Sequence, residues 1–191
     1  MQLDRVGIKV FCRDGGDLPL TAFIPVFHRW IQTGAVEGLL IDVADYSHMH
    51  GGPGVVLVAD EGIYGIDETG SARGLVYYAR RLGAQDLAGC LVLVARRVLH
   101  ACALLEREPE FAGRLRFGTG ELHVFANDRL LAPNHEETRH LFEPSLRALL
   151  ARLYPAASCR LEREPDPRER FALRVSGPDD APVATLLERL S

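Results

Sequence analysis

Apolar positions along the chain switch repeatedly between a period of two and a period of three to four. Residues 6–12 alternate and are rich in β-branched and aromatic side chains, which predicts a strand. After a polar turn at 13–17, Phe23, Val26, Phe27, Trp30 and Ile31 recur at helical spacing. Thr21 is placed to cap that helix, Pro25 lies in its first turn, and Gly34 marks its end. Short apolar runs at 39–43, 55–58, 63–66 and 74–80 predict four more strands. Asp86 opens the longest helical pattern, with Leu87, Leu91, Val94, Val98, Ala101 and Leu105 in one stripe that belongs in the core.

The second part of the chain repeats this alternation. Residues 114–117 and 121–126 flank Gly118-Thr119-Gly120 and read as a hairpin. Asn134 and Glu137 have capping-box spacing and open a helix to Leu153, which Pro144 is expected to kink or split. Residues 158–163 and 171–175 predict strands, and 180–190 a final helix. The fold class is α+β (mixed α/β), with antiparallel-rich sheets and helices packed on one face. Residues 8–14 also match 122–128 in pattern, and each stretch leads into a helix, two strands and another helix. This points to a β-α-β-β-α unit used twice, in residues 1–112 (with an extra hairpin) and 113–191, sharing one core.

The composition narrows the function classes. With 191 residues, 47% hydrophobic and 25% charged, the chain has ordinary globular character. Of its 22 basic residues only Lys9 is a lysine, and the arginines alternate with acids, as in 160–170, so no basic stripe for nucleic acid is present. Cys12, Cys90, Cys102 and Cys159 form no C-x-x-C pair, so a reduced, cytoplasmic setting is expected. The first residues carry no apolar signal core, and the apolar run 87–95 is short for a bilayer, so no membrane association is expected.

The densest polar cluster is 42–54, between two apolar strands. His48 and His50 stand two apart with Asp45 in reach, a ligand set suited to zinc or non-haem iron that leaves a position open for water. Gly51, Gly52 and Gly54 can instead present backbone N–H groups to an anion, although Pro53 removes one donor and a strand follows in place of a helix. His50-Gly51-Gly52-Pro53-Gly54 resembles the oxyanion-hole segment of α/β-hydrolases of the proline-iminopeptidase type. The resemblance covers these five residues only, and the G-x-S-x-G nucleophile elbow it implies is absent. As a purely structural loop the same residues make a tight connection, with Asp45 and Tyr46 bonded to backbone.

Asp60 and Glu61 are expected to close over this loop, and His28 to line a shared pocket. As adjacent acids, Asp60-Glu61 and Asp67-Glu68 read most simply as turn formers in water. The reading that follows is a small-ligand-binding or protein-interaction module. It would be a homodimer, taking a small anionic or polar ligand at Asp45, Tyr46, His48, His50, Gly51, Gly52, Gly54, Asp60, Glu61 and His28. The alternative is a metal-dependent hydrolase or oxygenase with Asp45, His48 and His50 as ligands and a metal-bound water as nucleophile.

Overall fold

The computed structural model describes residues 3, 5–49, 52–81, 83, 86–111, 113–177 and 180–191. The chain runs β1 (Val6–Asp14), α1 (Phe23–Thr33), β2 (Leu40–Tyr46), β3 (Gly54–Ala59), β4 (Gly62–Asp67), β5 (Gly74–Ala79), α2 (Leu87–Leu105), β6 (Arg116–Ala126), α3 (Glu136–Leu153), β7 (Arg160–Arg163), β8 (Ala172–Ser176) and α4 (Val183–Arg189). The strands form one eight-stranded sheet in the order β2-β3-β4-β5-β1-β6-β8-β7. Every neighbouring pair is antiparallel. The fold is therefore α+β.

Alternation along the strands sends one set of side chains into the main core. Ile8 and Val10 of β1, Leu57 of β3, Tyr64 of β4 and Val124 of β6 meet Phe27 of α1, Leu91 of α2, Phe142 of α3 and Leu186 of α4 in one buried cluster. The four helices thus share one face of the sheet. Asp86 caps α2 by accepting the Gly89 N–H at 2.8 Å. By length and composition α2 would suit a membrane span. Here it is the central core helix, with Cys90 and Cys102 buried as small apolar groups.

Three sequence expectations differ from the structure. Residues 116–126 form one long strand, and no hairpin is made at Gly118-Thr119-Gly120. The Gly-Thr-Gly segment is instead a bulge against β1, where the register shifts between Val10 and Phe11. The Asp180 carboxylate fixes it by accepting the Thr119 N–H at 2.7 Å and the Gly120 N–H at 3.1 Å. Thr21 is not a cap either, because it lies within a 3₁₀ turn (Leu20–Ala22) that leads into α1. Finally, α3 starts at Glu136 without a side-chain cap, and Pro144 does not split it in two. Asn134 instead donates to the Glu164 and Asp166 carbonyls at 3.0 and 2.8 Å, pinning the turn between β7 and β8.

Candidate functional site

The face of the sheet turned away from the helices carries the unusual chemistry. Directly opposed residues on antiparallel strands point to the same side. One such row crosses all eight strands: Ala44, Val56, Gly65, Val76, Lys9, His123, Arg174, Glu162. Its first half is apolar and its second half is ionisable. A cavity of about 510 Å³ opens over the second half, lined among others by Phe11, Asp67, His123, Arg170 and Arg174.

The single lysine of the chain sits at the centre of this row and is only 2% exposed. Its stem lies across Gly74, where an added Cβ would come within 2.9 Å of Lys9 Cε and 2.5 Å of the Val10 carbonyl oxygen. That missing side chain lets Lys9 cross β5 and reach β4. There its ammonium donates to Asp67 Oδ2 at 2.8 Å and to the Thr69 carbonyl at 3.0 Å. Burial pushes the Asp67 carboxyl up, but the hydrogen bonds from Lys9 and Thr69 outweigh it and hold the group below the usual carboxylate range. Asp67 is therefore half of a buried ion pair and not a solvent-exposed turn former. Its neighbour Glu68 accepts from Arg73 Nε at 2.9 Å.

His123 faces Lys9 on one side and Arg174 on the other. Burial, followed by the positive charges of Arg170 and Lys9, lowers its pKa from 6.5 to about 4, so the ring is neutral at pH 7. Arg170, just before β8, lies over the Phe125 ring with its guanidinium carbon 3.6 Å from the ring centroid. Burial pulls this guanidinium below the usual arginine range, partly offset by the charge of Asp67. Among the described residues neither Arg170 nor His123 has a hydrogen-bond or ion-pair partner for its side chain. Arg174 approaches Glu121 at 2.5 Å. The cavity thus presents an arginine with no direct ion-pair contact among the described residues and a neutral imidazole, beside the apolar surfaces of Phe11 and Ala172 and within a mixed-charge rim that includes Glu162, Glu164 and Glu169.

The residues expected to form the site lie elsewhere. Asp45, Tyr46 and His48 are exposed at the end of β2 and in the turn that follows. Asp45 accepts the Ser47 N–H at 2.8 Å. The hydrogen bonds from Ser47, helped by His48, hold its carboxyl below the usual range. Gly52 is half-buried in the same turn. His50 and Gly51 fall outside the described residues. Gly54 has a φ of 65°, and an added Cβ would stand 2.1 Å from the Ile66 carbonyl oxygen, so its glycine is required by packing.

Asp60 and Glu61 sit at the opposite end of β3 from this turn. There Asp60 approaches Arg81 at 3.9 Å, and Glu61 accepts the Leu39 N–H at 3.1 Å. His28 is exposed on α1. The structure therefore groups Asp45, Tyr46, His48 and Gly52 in one turn but does not bring Asp60 or Glu61 to it. Among the described residues no group of three or more His, Cys, Asp or Glu side chains is placed to hold a metal ion. Thiol chemistry has no support at Cys12, whose pKa burial pushes up to about 12.

A second cavity, also about 510 Å³, lies between α2 and α3 and is lined mainly by Val92, Leu93, Ala148 and Leu149. Its charged lining groups, Glu37, Arg96 and Arg152, are exposed, so the polar chemistry favours the open face of the sheet. Comparison with protein-family models, curated proteins and solved structures finds no match for this chain.

Proposed function

We propose that the protein is a small-ligand-binding module whose site is the cavity on the open face of the sheet. Its ligand would carry an anionic group, carboxylate or phosphate, on a partly apolar body. Arg170 carries the reading: a half-buried guanidinium held against Phe125, with no carboxylate in hydrogen-bond or ion-pair contact among the described residues, although the charges of Asp67 and Glu169 reach it. A partly desolvated cation with no direct hydrogen-bonded counter-ion is costly, and an incoming anion supplies the missing charge-assisted hydrogen bonds. Neutral His123 adds a hydrogen-bonding group, Phe11 and Ala172 add apolar wall, and the volume suits a small metabolite.

Benzoate and inorganic phosphate are suitable probes, read by the shift in melting temperature. At about a hundredfold excess over Kd a ligand stabilises by about 2.7 kcal/mol. In a domain of this size that is about 5–10 °C. The wild-type protein should respond to at least one probe, Arg170→Gln should lose the response, and His48→Ala should keep it. A wild-type protein indifferent to both probes, or an Arg170→Gln variant that responds equally, would refute the reading.

We also infer that the sheet arose by duplication of a β-α-β-β-α unit. Supporting this, the order β4-β5-β1 on one side of the centre mirrors β7-β8-β6 on the other. The central register supports it too. Ile8, Lys9 and Val10 match Leu122, His123 and Val124 in pattern, and they pair Ile8 with Val124, Lys9 with His123 and Val10 with Leu122. On this reading Lys9 and His123 occupy the same position in the two halves. One is paired with an acidic side chain and the other is kept neutral by burial and its cationic neighbours.

A further inference from the structure

Four of the large exposed hydrophobic side chains gather at one edge of the sheet: Leu39 (68% exposed), Ile41 (56%), Tyr46 (40%) and Met49 (50%). They belong to β2 and its flanks, and β2 is paired only with β3. Its other edge is open, and the strand contains neither proline nor lysine, the residues that usually blunt such an edge.

The charge of this region is one-sided. Between Arg29 and Arg73 the chain has no lysine or arginine but seven acidic residues. Cations from elsewhere meet four of them: Asp67 with Lys9 at 2.8 Å, Glu68 with Arg73 at 2.5 Å, Glu37 with Arg97 at 3.6 Å and Asp60 with Arg81 at 3.9 Å. The two acids on β2 differ. Asp42 accepts the Val43 N–H and Asp45 the Ser47 N–H, each at 2.8 Å, Asp45 is also bonded by the Ser47 side chain, and neither has an ion-pair partner among the described residues. Opposite Val58 and Val55, three residues apart along the chain, they lie on opposite faces of the edge.

We propose that the free edge of β2 is a docking site for an extended segment of a partner protein that alternates basic and apolar residues and adds to the sheet as a further strand. Backbone pairing supplies the attachment, Ile41 and Tyr46 give it apolar contact, and Asp42 and Asp45 select basic side chains on both faces of the added strand. A second copy of this chain fits less well. Two-fold pairing of β2 with β2 sets Asp42 and Asp45 of both copies together with no cation between them. Pairing β2 with the opposite edge, β7, is head-to-tail, giving a ring or an open filament, and it brings Glu162 of that short strand to the already acidic edge. This site is independent of the cavity on the open face.

The probe is a labelled, end-blocked synthetic peptide alternating arginine and valine, with a glutamate-for-arginine counterpart, followed by fluorescence anisotropy. The basic peptide should bind and should weaken as salt is raised. Asp42→Arg/Asp45→Arg should weaken it by about tenfold or more. The glutamate peptide should not bind. Hydrogen exchange on the wild-type protein gives a readout independent of the variants: the basic peptide should slow the amides of residues 40–46. Three results would overturn the proposal: no binding at millimolar peptide, binding that leaves the 40–46 amides unprotected, or self-association abolished by Ile41→Lys.

Discussion

Lys9 has a task that an arginine would perform badly. Its compact ammonium reaches Asp67 Oδ2 at 2.8 Å and the Thr69 carbonyl at 3.0 Å from a narrow stem laid on Gly74. A planar guanidinium is wider and donates in a fixed fork, so it cannot follow the same path without displacing the strand beneath. Lys9→Met should strand the Asp67 carboxylate in a buried site and cost about 3 kcal/mol or more. Lys9→Arg should cost about 1–2 kcal/mol through overpacking. Lys9→Met/Asp67→Leu should recover most of the loss, because it removes both charges. Urea denaturation at neutral pH measures all three, and a Lys9→Met midpoint equal to wild type would show that the pair contributes nothing. The singular lysine is visible in the sequence, but its partner lies 58 residues away and reads locally as a turn acid beside Glu68. Arg170 is similarly hidden, one arginine in a run of mixed charge, and only the Phe125 ring beneath it sets it apart.

At the scale of elements, periodicity located the strands and helices well, because burial on one face imposes it directly. The misreadings arose where a local signal was satisfied by a distant group. Gly118-Thr119-Gly120 has the chemistry of a turn, yet Asp180, about sixty positions on, takes its N–H groups and makes it a bulge within β6. The buried Tyr154 hydroxyl donates to the Thr119 carbonyl from the other side. Gly54 illustrates the converse. The sequence offers it as part of an anion-binding loop, whereas its place is fixed by the approach of β4. Gly54→Ala meets both a left-handed φ of 65° and the Ile66 carbonyl oxygen, so it should cost more than about 2 kcal/mol. Gly70 has a similar φ of 77° but open space around it, so Gly70→Ala should cost only about 1 kcal/mol. Thermal melts of the two variants side by side separate the contact from the backbone strain. Equal losses would mean that β4 yields to the new methyl group.

For the whole molecule, the ionisable half of the open face ties stability to pH in two separate windows. His123 is held near a pKa of about 4 when folded, against 6.5 when exposed. As pH falls from 6.5 towards 4, the unfolded chain gains a proton that the folded chain refuses, so stability drops across that range. The loss should be about 2 kcal/mol, allowing for partial solvent access to the ring. Asp67 acts lower: its folded pKa is depressed, so its contribution is present above the ordinary carboxylate value and is lost only as pH falls through the depressed one. His123→Gln should therefore flatten the decline between 6.5 and 4 while leaving the steeper loss at lower pH in place. A bound anion should act on the same group from the other direction. By offsetting the charges of Arg170, Lys9 and Arg174 it raises the His123 pKa, so benzoate or phosphate should bind more tightly as the solution is acidified towards pH 5, with proton uptake. Urea midpoints from pH 4.5 to 7.5, with and without the anion, test both effects together. Parallel curves for wild type and His123→Gln would remove His123 from the pH response, and an anion that stabilises equally at every pH would place its binding away from that ring.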